Sequence, residues 1–176
     1  MLLKPQDVVV ALKLALRQEE EWTYAELGRS LFLSAAEVHN AAKRALHARL
    51  LLRVDRRPPT PSRRNLLEFL VHGAKYSFPP ERGGLTRGYP TAHAAPAMRA
   101  LFAPATEPPP VWPDSGGPVR GQAFAPLHRC TIRAAQEDEA LYRALAAVDL
   151  LRGGGAREQK IGARVLAEML GTAEGT

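Results

Sequence analysis

Two helix-start signals lie close together near the beginning of the chain, and they restrict the fold more than any other feature. Thr23-Tyr24-Ala25-Glu26 fits a capping box, in which the threonine hydroxyl accepts a hydrogen bond from the third N–H of a helix and the glutamate reaches back to the cap. Ser34-Ala35-Ala36-Glu37 repeats the pattern eleven residues later. Two short helices that are capped separately and joined by a tight turn at Phe32-Leu33 are typical of a helix-turn-helix.

Apolar spacing extends this unit in both directions. Pro5 fits the first turn of a helix, and the apolar residues after it predict a first helix from about Pro5 to Glu19. The second helix is expected to end at about Leu31. The third is expected to bury residues at intervals of three and four: Val38, Ala41, Ala42, Ala45 and Leu46. Leu50 to Val54 predicts a strand. Three prolines within residues 55–64 argue against a regular returning strand, so a wing at this point is expected to be degenerate or an extended arm.

The positive charge of the chain is concentrated just after the third helix begins. The whole chain has a net charge of +6, whereas the span from Lys43 to Arg64 contains eight basic residues and one acid, Asp55, and so has +7. The remainder is therefore close to neutral. A local positive field of this kind is what a phosphate-binding face requires.

The pattern from Thr23 to Val54 resembles the bacterial winged-helix regulators, the MarR-like group among them. The shared features are the capped helix at Thr23–Leu27, the Leu33-Ser34 turn, a valine in the third helix, a Lys-Arg pair followed by leucine, and a short strand. The resemblance is confined to the N-terminal third. The sequence departs from the family pattern in two places. Ala48-Arg49 stands where a glycine is usual before the strand, and a clean second wing strand is missing.

The resemblance and helical geometry together imply which residues would face DNA. On the third helix they are Ala35, Ala36, His39, Asn40, Lys43 and Arg44. Asn40 suits an adenine edge, whereas Lys43 and Arg44 suit phosphate. Arg53, Arg56 and Arg57 would reach the flanking backbone or minor groove, and Arg63 and Arg64 complete the predicted DNA-binding set. The alternative is a winged helix used only for protein contact, with its charges solvated.

The rest of the chain predicts irregular structure followed by helices. A helix is expected at Asn65–Gly73, a short strand at Ala74–Phe78, and a loop over residues 79–88. Residues 104–126 contain seven prolines and three glycines and are interpreted as linker or irregular structure. Helical spacing returns at Arg133–Leu151 and Arg157–Leu170, which predicts an antiparallel hairpin. Its apolar stripes, at Leu141, Leu145 and Val148 and at Ile161, Val165 and Met169, predict an assembly surface. The helix at Asn65–Gly73 is the competing candidate for that surface, and the alternative is that both elements complete the core of a single chain.

Other residue types suggest few alternative sites. No two of the five histidines share helical spacing and Cys130 is the single cysteine, so a metal site is not expected. Cys130 is interpreted as a buried structural residue, with an oxidation-sensing thiol as the alternative. The basic stretch Arg82–Gly88 is interpreted as a surface turn, with a phosphate-cradling loop as the alternative. Trp112, Phe124 and Tyr76 are expected to be core, or else to line a ligand pocket. No catalytic arrangement is discernible.

These interpretations combine into one hypothesis. The fold is mainly α, with a winged helix-turn-helix at residues 1–64, an irregular Pro/Gly-rich region with one helix and short strands at 65–132, and a C-terminal helical hairpin for assembly or partner binding at 133–176. The expected function is that of a DNA-binding transcriptional regulator, a repressor acting as a homodimer on double-stranded DNA. The alternative is an antitoxin-like or complex-forming protein whose winged helix autoregulates its operon. An enzymatic role, a cofactor and a membrane partner are not expected.

The compartment is inferred from three further features of the chain. A lone cysteine, the lack of a long apolar run and the lack of a cleavable leader pattern at the start predict a cytoplasmic protein.

Overall fold

The computed structural model describes residues 1–18 and 21–172, and it confirms a mainly helical protein with a small amount of sheet. The helices are α1 (Pro5–Leu16), α2 (Tyr24–Leu31), α3 (Ala35–His47), α4 (Arg63–His72), α5 (Ala74–Ser77), α6 (Cys130–Glu137), α7 (Glu139–Gly153) and α8 (Ala156–Met169). The strands are β1 (Leu51–Leu52), β2 (Thr60–Pro61), β3 (Arg82–Pro90), β4 (Pro110–Pro113) and β5 (Val119–Phe124). The end predicted for the first helix, Glu19, lies outside the described residues. Within them, no helix combines the length and apolarity needed to span a membrane.

Both capping boxes form as predicted, and they fix where α2 and α3 begin. The Thr23 hydroxyl accepts from the Glu26 N–H at 3.2 Å, and the Glu26 carboxylate accepts from the Thr23 N–H at 3.0 Å. Ser34 and Glu37 make the equivalent pair of bonds at 3.1 and 2.8 Å. Phe32 ends α2 in the left-handed region, with φ of 56°. The chain therefore turns between the two helices within three residues.

The segment after α3 forms a short hairpin rather than an extended arm. Strands β1 and β2 pair antiparallel, with Leu51 opposite Pro61 and Leu52 opposite Thr60. The three prolines do not prevent the return, because Ser62 supplies the N–H that donates to the Leu50 carbonyl at 2.9 Å. The turn from α3 into β1 places Arg49 at φ 61°, in the left-handed conformation that a glycine adopts more easily. The returning strand is two residues long, which agrees with the degenerate form that the sequence left open and not with the extended arm.

Residues 74–124 differ most from the sequence-based prediction. The strand predicted at Ala74–Phe78 is wrong, because α5 occupies most of that stretch. The loop predicted over 79–88 and the linker over 104–126 are wrong where β3, β4 and β5 lie. Each of these strands pairs with the other two: β3 is antiparallel to both, and β4 is parallel to β5, which closes a small barrel.

Glycines that the sequence placed in loops allow these strands to pack closely. A Cβ at Gly88 would lie 2.0 Å from the Trp112 carbonyl oxygen. A Cβ at Gly121 would lie 2.0 Å from the Pro109 carbonyl oxygen. No side chain fits at either distance, so these glycines are required by the close approach of neighbouring strands.

The C-terminal helices complete the core of the chain. The single helix predicted at Arg133–Leu151 is two helices, α6 and α7, divided at Asp138, whose carboxylate caps α7 by accepting from the Leu141 N–H. Helix α8 packs antiparallel on α7, with Gly162 close to the Ala147 carbonyl. The apolar stripe of α7 is fully buried, and that of α8 is buried at Val165 and half-buried at Ile161 and Met169.

One continuous apolar cluster contains residues from all three segments distinguished in the sequence. It joins α1, α3 and α4 to the barrel and to α7. The α7 stripe that contributed to the predicted assembly surface is therefore covered within the chain itself, whereas Ile161 and Met169 of the α8 stripe stay partly exposed.

Candidate nucleic-acid interface

Helix α3 presents one exposed face to solvent. Its inward side buries Val38, Ala41, Ala42 and Ala45. The opposite side leaves exposed five of the residues predicted to face DNA: Ala35, Ala36, His39, Asn40 and Lys43. Because the alanines in the first turn have short side chains, a surface docked on this face could approach the helix backbone closely. The structure thus brings these five residues together on one accessible helix face.

Arg44 differs from its neighbours on α3, because its guanidinium is held by a buried carboxylate. Its Nε and Nη2 donate to the two oxygens of Asp7 at 2.8 and 2.7 Å. Asp7 is fully buried at the start of α1, where it also accepts from the Lys4 N–H. The hydrogen bonds from the guanidinium to Asp7 raise the pKa of Arg44. Arg44 therefore anchors α3 to α1, and this ion pair engages the guanidinium that was predicted to contact phosphate.

Three aromatic rings connect one flank of α3 to the hairpin. The His39 ring lies edge-on to Tyr24 with centroids 5.0 Å apart, and Tyr24 lies edge-on to Trp22 at 5.1 Å. The buried Trp22 indole donates from Nε1 to the Pro59 carbonyl at 3.1 Å. The hairpin is thereby fixed beside the His39 flank of α3.

The hairpin loop, residues 53–59, carries three of the predicted arginines. Arg53, Arg56 and Arg57 are all exposed, and Asp55 takes a left-handed backbone with φ of 55°. This loop therefore exposes the positive charge of the hairpin to solvent on the same flank of α3 as His39.

Arg63 and Arg64 lie outside this group, in the first turn of α4. Arg64 is exposed. Arg63 is exposed as well, but its Nε donates to the Ala15 carbonyl near the end of α1 at 3.2 Å. Arg63 is thereby tied to α1 through one guanidinium nitrogen, whereas Arg64 projects from the same turn beside it.

The second flank of α3 faces the beginning of α6, a neighbour that the sequence did not reveal. Hydrogen bonds from the Ser34 N–H and hydroxyl lower the pKa of Glu37, and the nearby charge of Arg129 lowers it further. Burial and the charge of Arg129 lower the pKa of His128. No local pattern could have identified this neighbour, since more than ninety positions separate Glu37 from Arg129.

Several alternative sites drawn from the sequence are corrected by the structure. Burial raises the pKa of the Cys130 thiol to about 12, so this residue is a buried structural cysteine rather than an oxidation sensor. Arg82–Gly88 lies within β3 and forms no phosphate-cradling loop. Trp112 and Phe124 are buried in the core, whereas Tyr76 is 77% exposed and takes no part in a pocket with them. Across residues 1–18 and 21–172, no three metal-ligating side chains are grouped as an ion would require.

No protein-family model, curated protein or solved structure matches the chain. The chemistry of the exposed face of α3 and its two flanks is therefore interpreted from this chain alone.

Proposed function

We propose that this protein is a sequence-specific, double-stranded DNA-binding transcriptional repressor whose N-terminal part is a winged helix-turn-helix. The observation that supports this most directly is the accessible face of α3, which lies beside a hairpin rich in arginine. The order of three helices followed by a two-stranded hairpin suits a winged helix. The only acid within the +7 span is Asp55.

In this proposal α3 enters the major groove with its N-terminal turns against the base edges. Asn40 is exposed and long enough to form a bidentate pair with adenine, which a major-groove reader commonly uses. Ala35 and Ala36 allow close approach and offer methyl groups to thymine. Lys43, one turn further along the same face, contacts phosphate.

The hairpin contacts the DNA beside the groove that α3 occupies. Its exposed arginines, Arg53, Arg56 and Arg57, are flexible enough to follow the sugar-phosphate backbone or enter the adjoining minor groove. The hydrogen bond from Trp22 to Pro59 holds the base of the loop, so the arginines extend from a fixed support.

We expect two copies of the chain to bind one operator. A single recognition helix covers only a few base pairs, and operators read by such helices are commonly palindromic with half-sites one turn apart. The stoichiometry is measured by analytical ultracentrifugation of the protein with a selected duplex. One protein per duplex at saturation would contradict this part of the proposal.

The first test is the salt dependence of binding to a random-sequence duplex. Five exposed basic residues of α3, the hairpin loop and α4 are proposed to contact phosphate, and they should contribute about −4.5 per chain to the slope of log affinity against log salt: Lys43, Arg53, Arg56, Arg57 and Arg64. Fluorescence anisotropy across a salt series measures it. A slope near zero, or no binding at low salt, contradicts DNA binding.

The second test separates base reading from phosphate binding. A preferred sequence is first selected from a randomised duplex pool. Asn40→Ala should lose about 1–3 kcal/mol on that sequence and little on random DNA, whereas Lys43→Ala should weaken both to the same degree. If the two variants lose affinity in the same pattern, Asn40 does not read a base.

A second candidate function is a complex-forming protein that autoregulates its operon, and one observation favours it. On the outer face of the barrel, Arg87 lies directly opposite Arg120, beside Leu85, which is 57% exposed. Like charges opposite each other are unfavourable in a sheet, so an acidic protein partner would stabilise this face. Duplex binding that occurs only when such a partner is added would favour this function over independent repression.

A further inference from the structure

Helix α6 packs beside the turn that joins α2 and α3. The Arg133 guanidinium lies over the ring of Phe32, 4.1 Å from its centroid, and Phe32 is the left-handed residue that ends α2. Contacts between α2 and α6 continue along this side. The C-terminal half of the chain therefore reaches the helix-turn-helix at its turn.

Two arginines of this segment are exposed on the same side of α6. Arg129 precedes the first residue of the helix and Arg133 follows one turn later, a spacing that places both on one face. Among the described residues, neither forms an ion pair. The closest acid on α3, Glu37, is engaged by Ser34 through its N–H and its hydroxyl. The Glu37 carboxylate offsets part of the positive charge, because Arg129 lies close enough to lower its pKa. Arg129 and Arg133 together still outweigh this one acid beside the beginning of α3.

These arginines lie on the flank of α3 opposite the hairpin. His39 marks the side of α3 that faces Tyr24 and Trp22, and through them Pro59 of the hairpin. Arg44 and Glu37 mark the other side, which faces Asp7 of α1 and the start of α6. The exposed face of α3 lies between a basic loop on one flank and a basic pair on the other.

The two basic flanks of α3 match the two phosphate strands that border the major groove of DNA. The major groove is about 12 Å wide and bordered by a phosphate strand on each side, so a helix lying in it has backbone on both flanks. We propose that Arg129 and Arg133 bind the phosphate strand opposite the one contacted by the hairpin. This inference rests on the proposed function, and it extends the interface to the C-terminal half of the chain.

The test compares two double variants of the full chain that lose the same charge. Arg129→Ala with Arg133→Ala removes the basic pair, whereas Arg157→Ala with Arg164→Ala removes two exposed arginines from α8, which packs on α7 and α4. The probe is a labelled random-sequence duplex of about three helical turns, because phosphate contacts do not depend on sequence. Binding is measured across a salt series.

We expect the slope of log affinity against log salt to become shallower by about 1.8 for the α6 double variant. Raising salt from about 50 to about 200 mM should then cost the wild type about tenfold more affinity than this variant. The α8 double variant should keep the wild-type slope. Because Arg133→Ala also removes the contact with Phe32, Arg129→Ala alone is measured too, and it should make the slope shallower by about 0.9.

An unchanged slope in the α6 double variant and in Arg129→Ala, with wild-type binding intact, overturns the inference and leaves the proposed function standing. An equal change in the α8 double variant also overturns it, because the effect would then reflect net charge alone. No duplex binding by the wild type at low salt contradicts the proposed function, and this inference with it.

Discussion

Substituting Arg44 by leucine should strongly destabilise the protein, because it leaves the Asp7 carboxylate buried without its cation. The Asp7 side chain is 0% exposed and that of Arg44 is 14% exposed. Breaking a buried pair by removing one partner costs about 3–5 kcal/mol, against about 0–1 kcal/mol for an exposed pair. Since typical domains have about 5–15 kcal/mol of total stability, the loss would be a large part of the whole.

A double variant separates two effects of Arg44→Leu: the cost of leaving the Asp7 charge buried without a cation, and the loss of the Arg44 contact itself. Asp7→Asn retains an oxygen that can accept from the Lys4 N–H while removing the buried charge, so Asp7→Asn with Arg44→Leu should recover most of the stability lost by Arg44→Leu alone. Urea unfolding followed by circular dichroism gives the free energy of unfolding for the wild type, both single variants and the double variant. A cost below about 1 kcal/mol for Arg44→Leu would mean that the pair is not buried as described.

The same double variant tests whether Arg44 contacts DNA. Because its guanidinium is bound to Asp7, the folded double variant should keep the wild-type salt slope on a random duplex, whereas Lys43→Ala should make it shallower by about 0.9. If the double variant changes the slope as Lys43→Ala does, Arg44 is a phosphate contact after all.

Three further predictions follow from other contacts. Trp22→Phe removes the donor to the Pro59 carbonyl and should cost about 1–3 kcal/mol of stability and weaken duplex binding; unchanged affinity would mean that the hairpin does not depend on this bond. Burial alone would raise the pKa of Asp138, but hydrogen bonds from Lys13 and the Leu141 N–H more than offset it and lower the pKa. The stability from this group is therefore present above the unfolded pKa and is lost as pH falls through the folded one. In Lys13→Met the folded pKa of Asp138 moves back toward the unfolded value, so the acid-induced loss of stability measured by urea unfolding should be smaller than in the wild type, and an equal loss would contradict the role of Lys13. Cys130 should react with a thiol reagent in the native protein far more slowly than in urea, and equal rates would contradict its burial.

Local signals explain why the N-terminal elements could be predicted from the sequence. Each capping box joins residues three positions apart, so Thr23 and Glu26, or Ser34 and Glu37, are sufficient to locate the start of a helix. The exposed face of α3 follows from the resemblance together with helical spacing, and five of its six predicted residues lie there. The sixth, Arg44, sits at the edge of that face, and its partner Asp7 lies in another helix that no spacing rule connects to it.

Long-range pairing explains what the sequence did not reveal. Arg82 pairs with Phe124 and Gly88 with Pro113, so the strands of the barrel depend on partners far along the chain. These strands are rich in glycine and proline, as loops are, so their sequence does not indicate a sheet. Only the close contact between the strands in the structure shows why the glycines are required. The placement of Arg129 beside α3 depends in the same way on how α6 packs.

Helix α1 has a consequence for how this protein could be modified or divided. Five consecutive residues, Val8 to Leu12, are each 0% exposed, and five residues of a helix point in every direction around its axis. No side of α1 in this stretch is a surface, because α3, β2, α4 and α7 pack around it. In the proposed function, residues 1–64 are therefore not a separable DNA-binding unit. Fused alone to another protein they would expose the apolar surface of α1, and the proposed DNA contacts could be exchanged in this chain only along the outer face of α3.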